Sequence, residues 1–211
     1  MTKITERGMI FNSDMVRAIL DGRKTQTRRP VKFPFKDRNL GCELSGNELA
    51  GELSSGNYLN SPFGKPGDRI WVRETFQGPL FDIDQMDAYC KDSAPFEKTQ
   101  FCVYKADGKP APEFFDADDN LHCCWRPSIH MPRWASRLLL EITSVRVERI
   151  RSMSQDDARA EGVIAASGPM EAGLAFRELW DSIYGEESWK ANPWVWVIEF
   201  ERIEGDDHAT D

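Results

Sequence analysis

The sequence predicts a β-rich α+β fold, a small pseudo-barrel with short flanking helices and two large loop insertions. Three stretches alternate apolar and polar residues in the manner of strands, at residues 69–76, 138–147 and 194–200. Two others, 15–20 and 176–183, place apolar residues at helical spacing. Because strands and helices do not alternate regularly along the chain, the pattern favours a small mixed barrel over a parallel α/β sheet.

The first elements lead into a basic motif. Gly8–Phe11 is apolar enough for a short buried strand, and Asn12-Ser13-Asp14 offers an N-cap to the helix at 15–20. Gly22 follows the last apolar residue of this helix and is expected to end it. From Lys24 to Arg29 we expect an extended strand.

The middle of the chain contains one clear strand and much irregular sequence. Pro66-Gly67-Asp68 is a turn signal that introduces the strand at 69–76. Phe101–Tyr104 is the one good strand candidate in the acidic region after it. His122–Arg137 contains two prolines, so we predict a well-packed irregular segment there.

The last third of the chain alternates strand and helix patterns. The apolar residues of the strand at 138–147 change parity, which indicates a bulge or a tight turn near Thr143-Ser144. A capping-box start predicts a short helix over Ser154–Gly162. Gly185 is expected to end the helix at 176–183, and Trp194–Phe200 is a closing strand with apolar residues on both faces.

The size of the chain indicates one domain. With 211 residues, 40% of them hydrophobic, it can bury one good core. We predict a single domain over residues 1–205 and a flexible tail at 206–211. The insertions are placed at about 31–63, which is rich in Gly, Ser and Asn, and at about 77–121, which is acidic and contains four prolines.

Charge is segregated along the chain. The net charge of −8 argues against a protein held to nucleic acid by bulk charge. Residues 22–38 nevertheless contain seven Lys or Arg and one Asp, whereas residues 77–121 contain ten acidic residues and four Lys. Local basic patches therefore stay open as binding surfaces.

The predictions of compartment and cofactors rest on sequence patterns that we do not find. The first residues do not resemble a signal peptide, and no run approaches the roughly 20 apolar residues of a membrane span. We therefore expect a cytoplasmic protein with no membrane contact. Five irregularly spaced cysteines indicate reduced thiols, and His122-Cys123-Cys124 does not match the spacing of a metal site. No metal and no other cofactor is predicted.

The nine residues Gly22–Pro30 combine two hydroxyls, a lysine and three arginines, and indicate a site. A hydroxyl nucleophile needs a base, and a lysine serves when burial or nearby cations lower its pKa. Thr27 beside Lys24 meets that requirement. In a strand Thr25, Thr27 and Arg29 would share one face, with Lys24 at the strand start still able to reach it, and Arg28 is expected at the surface. The alternative interpretation is an exposed basic strand with no chemistry.

These residues, with three other segments, resemble the ASCH-domain family of the PUA-like superfold. The matching blocks are Gly22–Arg29 after a short helix, Pro66-Gly67-Asp68, Glu141-Ile142-Thr143 before the helix at 154–162, and Val197–Phe200. One bacterial member removes acetyl from N(4)-acetylcytidine with a lysine proton acceptor, a threonine nucleophile and a glutamate proton donor. The resemblance implies those catalytic roles for Lys24, Thr27 and Glu161. The two insertions have no counterpart in that small enzyme, so the substrate stays open.

A second candidate set combines aromatic and basic side chains. Aromatic rings beside arginines suit a single-stranded base, by stacking on it and neutralising its phosphate. In the alternative interpretation, the tryptophans fill the core and the arginines pair with acids. The predicted substrate-binding residues are Arg29, Trp71, Arg73, Glu74, Arg126, His130 and Arg133.

Three functions are therefore carried forward. The first is amide hydrolysis on an N(4)-acylated cytidine-type base, with a modified nucleoside as the partner. The second is a non-catalytic module that binds single-stranded RNA or modified DNA, and the third is a ribonuclease of the same superfold. The tract 125–134 resembles a variant common in bacteriophage and prophage genomes, for which the family implies no settled activity.

Overall fold

A computed structural model describes residues 3–116, 120–164 and 171–203. The strands are β1 (Glu6–Ile10), β2 (Gln26–Pro30), β3 (Phe35–Lys36), β4 (Glu43–Leu44), β5 (Arg69–Arg73), β6 (Phe76–Gln77), β7 (Val103–Tyr104), β8 (Glu113–Phe115), β9 (Leu121–Cys123), β10 (Leu139–Arg149) and β11 (Trp194–Ile203). The helices are α1 (Ser13–Leu20), α2 (Gly46–Ser54), α3 (Met86–Lys91), α4 (Gln155–Ala160), α5 (Glu171–Tyr184) and α6 (Glu186–Lys190).

The main sheet has the strand order β1-β5-β10-β11-β2. β11 pairs with β2 in antiparallel register, with Glu199 opposite Gln26 and Val195 opposite Pro30. The β-rich α+β class is confirmed. Within the described residues the sheet is open, with β1 and β2 at its edges, and does not close into a barrel.

The chain divides into two compact units. Among the described residues, the first contains 3–5, 18–69 and 140–202, and the second contains 6–17, 70–139 and 203. One domain over residues 1–205 stays a prediction. The predicted tail, 206–211, lies outside the described residues.

The core of the first unit forms where α4, α5 and β11 meet. Phe176 and Trp180, four residues apart on α5, are buried together with Val195 and Val197 of β11. The spacing of the two aromatic residues is that of one helix face, as the sequence predicted. Burial of four consecutive residues, Val195 to Ile198, confirms the prediction that β11 is apolar on both faces.

The first predicted insertion is more regular than expected. Residues 31–63 contain β3, β4 and the nine-residue helix α2. Ser45 and Glu48 form a reciprocal capping box at the start of α2, and Leu49 and Leu53 are buried on one face. The prediction of a long loop here was wrong, because it rested on the Gly, Ser and Asn content of the region, and Ser45, Gly46 and Asn47 are instead the cap and first turn of α2. A Cβ at Gly46 would lie 2.2 Å from the Trp194 ring, so glycine permits close packing.

The second predicted insertion has a small core of its own. Residues 77–121 contain α3, β7 and β8, of which the sequence indicated only β7. The rings of Phe81, Tyr89, Phe96 and Phe101 pack at centroid distances of 4.7–5.6 Å. The sequence did not predict this aromatic cluster, because the region contains many acids and prolines and its aromatic residues do not follow a helix or strand period.

The segment His122–Arg137 is largely irregular, as predicted, but residues 123–130 are mostly exposed, so the prediction of good packing was wrong for its first half. It enters from β9 and continues through two short 3₁₀ turns at Ser128–His130 and Arg133–Ala135. Met131 and Ala135 are buried with Phe76 and Tyr104 in the core of the second unit.

β10 is one continuous strand of eleven residues. Its buried positions change parity between Ile142 and Val145, as a bulge would produce, so the alternative of a tight turn is wrong. The following helix, α4, begins at the predicted capping box, in which Ser154 and Asp157 bond each other's backbone N–H. Glu161 is its C-cap, and Gly162 follows with φ +85°.

Two whole-chain features bear on the sequence predictions. All five cysteines are free thiols, and four of them are exposed. None of the helices in the described ranges combines the length with the apolar character that crossing a bilayer requires.

Gly162 is expected to tolerate a side chain poorly. A Cβ there would lie 2.8 Å from the Cβ atoms of both Ala18 and Lys24, in a backbone with φ +85°. Gly56 has nearly the same φ, +84°, but open space around it. We expect Gly56→Ala to reduce the free energy of unfolding by about 1–2 kcal/mol. Gly162→Ala should reduce it by a further 1–3 kcal/mol or so, because packing is also disturbed.

Urea denaturation of both variants measures the difference. Equal losses would contradict the close packing of Gly162 on Lys24.

Candidate active site

The basic motif begins where α1 ends. The backbone N–H groups of Arg23 and Lys24 both donate to the Ala18 carbonyl at 2.9 Å. Gly22 makes this turn possible, because its φ of +72° is one that other residues rarely adopt. The motif is therefore fixed by a helix end before it enters β2.

Three consecutive residues of the motif also satisfy the end of α4. The Thr25 N–H donates to the Ala160 carbonyl at 2.8 Å. Lys24 Nζ donates to the Glu161 carbonyl at 3.0 Å, and Arg23 Nη1 donates to the Gly162 carbonyl at 2.7 Å. The last carbonyls of a helix lack partners within it and carry partial negative charge, so these cations stabilise the helix end.

Lys24 and Glu161 form a buried ion pair. Lys24 Nζ lies 2.7 Å from Glu161 Oε2, and the two side chains are 0% and 3% exposed. Burial lowers the pKa of Lys24 and outweighs the attraction of Glu161, and the charges of Arg29 and Arg28 lower it further. The lysine is thus shifted toward its neutral form, which is the condition under which a lysine can serve as a base.

Arg28 bonds the other oxygen of the Glu161 carboxylate. Its Nη1 lies 3.1 Å from Glu161 Oε1, and its Nη2 lies 2.9 Å from Glu148 Oε1 and 3.4 Å from Asp157 Oδ1. The side chain is fully buried, 5.9 Å above the centre of the Phe176 ring. The expectation that Arg28 lies at the surface was wrong, because three carboxylates compensate for its burial.

Further polar side chains continue this cluster toward solvent. Gln26 Nε2 donates to Asp157 Oδ1 at 3.0 Å and to Glu199 Oε1 at 3.1 Å. Arg146 Nη2 bonds the same Asp157 oxygen at 3.0 Å, and Arg146 also pairs with Glu148 and Glu199. Partial burial raises the pKa of Asp157, but bonds from Ser154 and Gln26 and the charge of Arg28 outweigh it and place this pKa well below its usual value.

Thr27 is buried in β2, directly opposite Ile198 of β11. Gln26 and Arg28, its neighbours in the strand, both direct their side chains to the acid cluster. Because successive side chains of a strand point to opposite faces, Thr27 belongs to the other face of β2. The structure thus joins Lys24 directly to Glu161, and the role of Thr27 stays a prediction.

Arg29 is half-buried in β2 opposite Trp196, and the other six predicted substrate-binding residues belong to the second unit. Among these, Glu74 is buried and its carboxylate accepts two bonds from Arg137, at 2.9 and 3.1 Å. Burial raises the pKa of Glu74, and the Arg137 charge opposes this shift.

The remaining members of the set contact their own chain. Arg73 lies 5.4 Å from the centre of the Trp71 ring and donates to a backbone carbonyl. Arg126 lies over the Phe76 ring and donates to the Gly78 carbonyl at 3.1 Å. Arg133 pairs with Glu6 at 2.9 Å, and His130 is exposed at the end of a 3₁₀ turn. These contacts favour the interpretation in which the arginines are structural.

Sequence reasoning missed six members of the cluster: Gln26, Arg28, Arg146, Glu148, Asp157 and Glu199. Two signals were present. Lys24, Gln26 and Arg28 share one parity, and Asp157 precedes Glu161 by four residues, one helical turn. The contribution of Glu148 from β10 depends on strand order, which a single sequence does not supply.

No protein-family model matches the chain, and no curated protein does either. Among solved structures, the chain is similar to the crystal structure of protein EF3133 from Enterococcus faecalis V583, which carries the family model DUF984. The likeness covers 100% of this chain and 87% of that chain, with 10% sequence identity and a TM-score of 0.38. A likeness this low shows neither a shared family nor a shared activity.

The buried cluster makes a prediction about stability. Glu161 neutralises two cations, whereas Lys24 neutralises one carboxylate that Arg28 also bonds. We expect Glu161→Gln to reduce the free energy of unfolding by about 3–5 kcal/mol, and Lys24→Met to reduce it by less. The double variant should lose less than the sum of the single losses, because neither partner is then left alone.

Urea denaturation at neutral pH gives all three values. Strict additivity of the single losses would contradict a coupled pair.

Proposed function

We propose that the protein is a hydrolase that cleaves the amide of an N(4)-acylated cytidine-type nucleoside. Thr27 is the nucleophile, Lys24 accepts its proton, and Glu161 protonates the departing exocyclic amine. The observation that carries the proposal is the 2.7 Å contact between Lys24 Nζ and Glu161 Oε2 in a buried site. The resemblance to the ASCH-domain family supplies the reaction class and the role of Thr27.

The ion pair already contains the proton that the reaction needs. If the proton on Nζ moves across the 2.7 Å bond to Oε2, the pair becomes a neutral amine and a neutral carboxylic acid. Those are the forms required of a base and an acid in acyl transfer. Burial favours this exchange, because it disfavours both charges.

The proton balance then closes over both half-reactions. Thr27 Oγ1 attacks the acyl carbonyl as its proton moves to Nζ, a step that requires Lys24 to reach the Thr27 face of β2 from its place before the strand. The C–N bond breaks as Glu161 gives its proton to the amine. An acyl-threonine and a charged pair are left. Water next attacks the ester, gives its proton to Glu161, and the threonine oxygen recovers a proton from Lys24. The neutral pair is restored and the acid is released.

Access is the main physical requirement of this proposal. Lys24, Thr27 and Glu161 are each no more than 3% exposed. A substrate therefore reaches Thr27 only when the side chains that cover it move. The half-buried Arg29, which follows Thr27 by two residues in β2, is our choice for contacting the substrate.

Hydrolysis of N(4)-acetylcytidine by the purified protein tests the function. We expect turnover by the wild type and a loss of at least about 100-fold in kcat/KM for Glu161→Gln, the loss typical of removing a general acid. Thr27→Val, nearly the same shape without the hydroxyl, should reduce the rate to background. Thr25→Val is the matched control, because Thr25 is exposed and two residues away.

No turnover by the wild type would overturn the proposal, and so would a Thr27→Val variant as active as the Thr25→Val control. Circular dichroism of each variant separates loss of activity from loss of fold.

The nucleic-acid module is the rival that the same preparation can test. Its motivating residues, Arg73, Arg126 and Arg133, already have partners in their own chain. We therefore rank it below hydrolysis. Salt-sensitive binding of single-stranded RNA without hydrolysis would reverse that order.

A further inference from the structure

Arg28 and Lys24 bond the two oxygens of one carboxylate, that of Glu161. Arg28 Nη1 bonds Glu161 Oε1 at 3.1 Å, while Lys24 bonds Oε2 of the same carboxylate at 2.7 Å. A guanidinium keeps its charge at every pH at which proteins fold. The only proton exchange open to this carboxylate within the cluster is therefore on the Lys24 side.

The same guanidinium is shared with two further acids. Nη2 lies 2.9 Å from Glu148 and 3.4 Å from Asp157, which are both 20% exposed. The negative charge of each carboxylate partly offsets the positive charge of Arg28 and so weakens the attraction between Arg28 and Glu161. These two acids are closer to solvent than Glu161. Their charges therefore link the electrostatics of the buried Lys24–Glu161 pair to the protein surface.

We propose that Arg28 is a positioning residue that sets whether Lys24 or Glu161 holds their shared proton, and that Glu148 and Asp157 moderate its effect. Its meaning for catalysis rests on the proposed function, whereas its effect on proton binding does not. The proton stays between Nζ and Oε2, so one N–H bond breaks as one O–H bond forms.

Among the described residues, the charged side chains around Lys24 and Glu161 determine in which direction a substitution shifts proton binding by the pair. The segment before β2 and β2 itself contribute Arg23, Lys24, Arg28 and Arg29; β10 contributes Arg146 and Glu148; α4 contributes Asp157 and Glu161; and β11 contributes Glu199. From α5 the uncharged Phe176 ring contacts Arg28. Loss of a cation near the pair should favour proton binding by the pair, and loss of an anion should oppose it.

The direction for stability follows from Lys24. Its pKa is lowered in the folded protein, so the unfolded chain binds more protons between that lowered value and 10.5, and stability rises with pH across this window. Arg28→Met should move the start of the rise to higher pH by on the order of one unit. Glu148→Gln should move it to lower pH. Glu199→Gln, the same change on an acid that pairs with Arg146, should move it less.

The experiment measures the free energy of unfolding by urea between about pH 6 and pH 11 for these variants, together with the pH profile of kcat/KM for N(4)-acetylcytidine. Arg28→Lys, which keeps the charge, should begin its rise in stability at nearly the same pH as the wild type. Opposite shifts for Arg28→Met and Glu148→Gln are the expected result.

Shifts in the same direction would overturn the proposal, and so would equal shifts for Glu148→Gln and Glu199→Gln. If Arg28→Met does not fold, the comparison of the two glutamate variants decides alone. Opposite stability shifts without hydrolysis by the wild type would reject the proposed function and keep this inference. Hydrolysis with unmoved midpoints would reject the inference alone.

Discussion

The carboxylate of Glu161 is the constraint on which the first unit depends. It closes α4 and binds Lys24 from the start of β2 and Arg28 from within β2. Taking these charges out of water is unfavourable, and only their mutual hydrogen bonds offset it. The beginning of β2 is consequently held against the end of a helix 137 residues away in sequence. An edge strand, ordinarily free on one side, is fixed here by buried charge.

Helix capping and the proposed chemistry use the same atoms. Lys24 donates to the backbone carbonyl of Glu161, the C-cap of α4, and also to its carboxylate, so its ammonium has a structural reason to be buried. Burial then lowers its pKa, which is the property a base requires. A structural pair and a catalytic pair therefore look alike in this geometry. A catalytic pair differs from a structural one in having a reacting group within reach of the base. In the proposed function that group is the hydroxyl of Thr27.

The regular parts of the fold could be predicted from local pattern. The helical spacing on α5 buries one face and the apolar run of β11 buries both, and the capping box at Ser154 marks the start of α4, so local sequence pattern reports all three directly. Helix α2 was missed because its cap and first turn, Ser45 to Asn47, are residue types that also mark loops, and the contact that explains Gly46, with the Trp194 ring, is distant in sequence. Within the candidate site, the sequence indicated Lys24 and Glu161 through a family resemblance, whereas the burial of Arg28 depends on Glu148 from another strand. Contacts across strands are what a single sequence leaves open.

The protonation state of Lys24 is the most direct test of this account. Nuclear magnetic resonance of the lysine Nζ groups, titrated with pH, would assign Lys24 by its absence in Lys24→Met. The account predicts that the pKa of Lys24 is lower than 10.5, the ordinary value for lysine, and lower still in Glu161→Gln, which lacks the attracting charge. A Lys24 signal that titrates together with the exposed lysines in both proteins would contradict it.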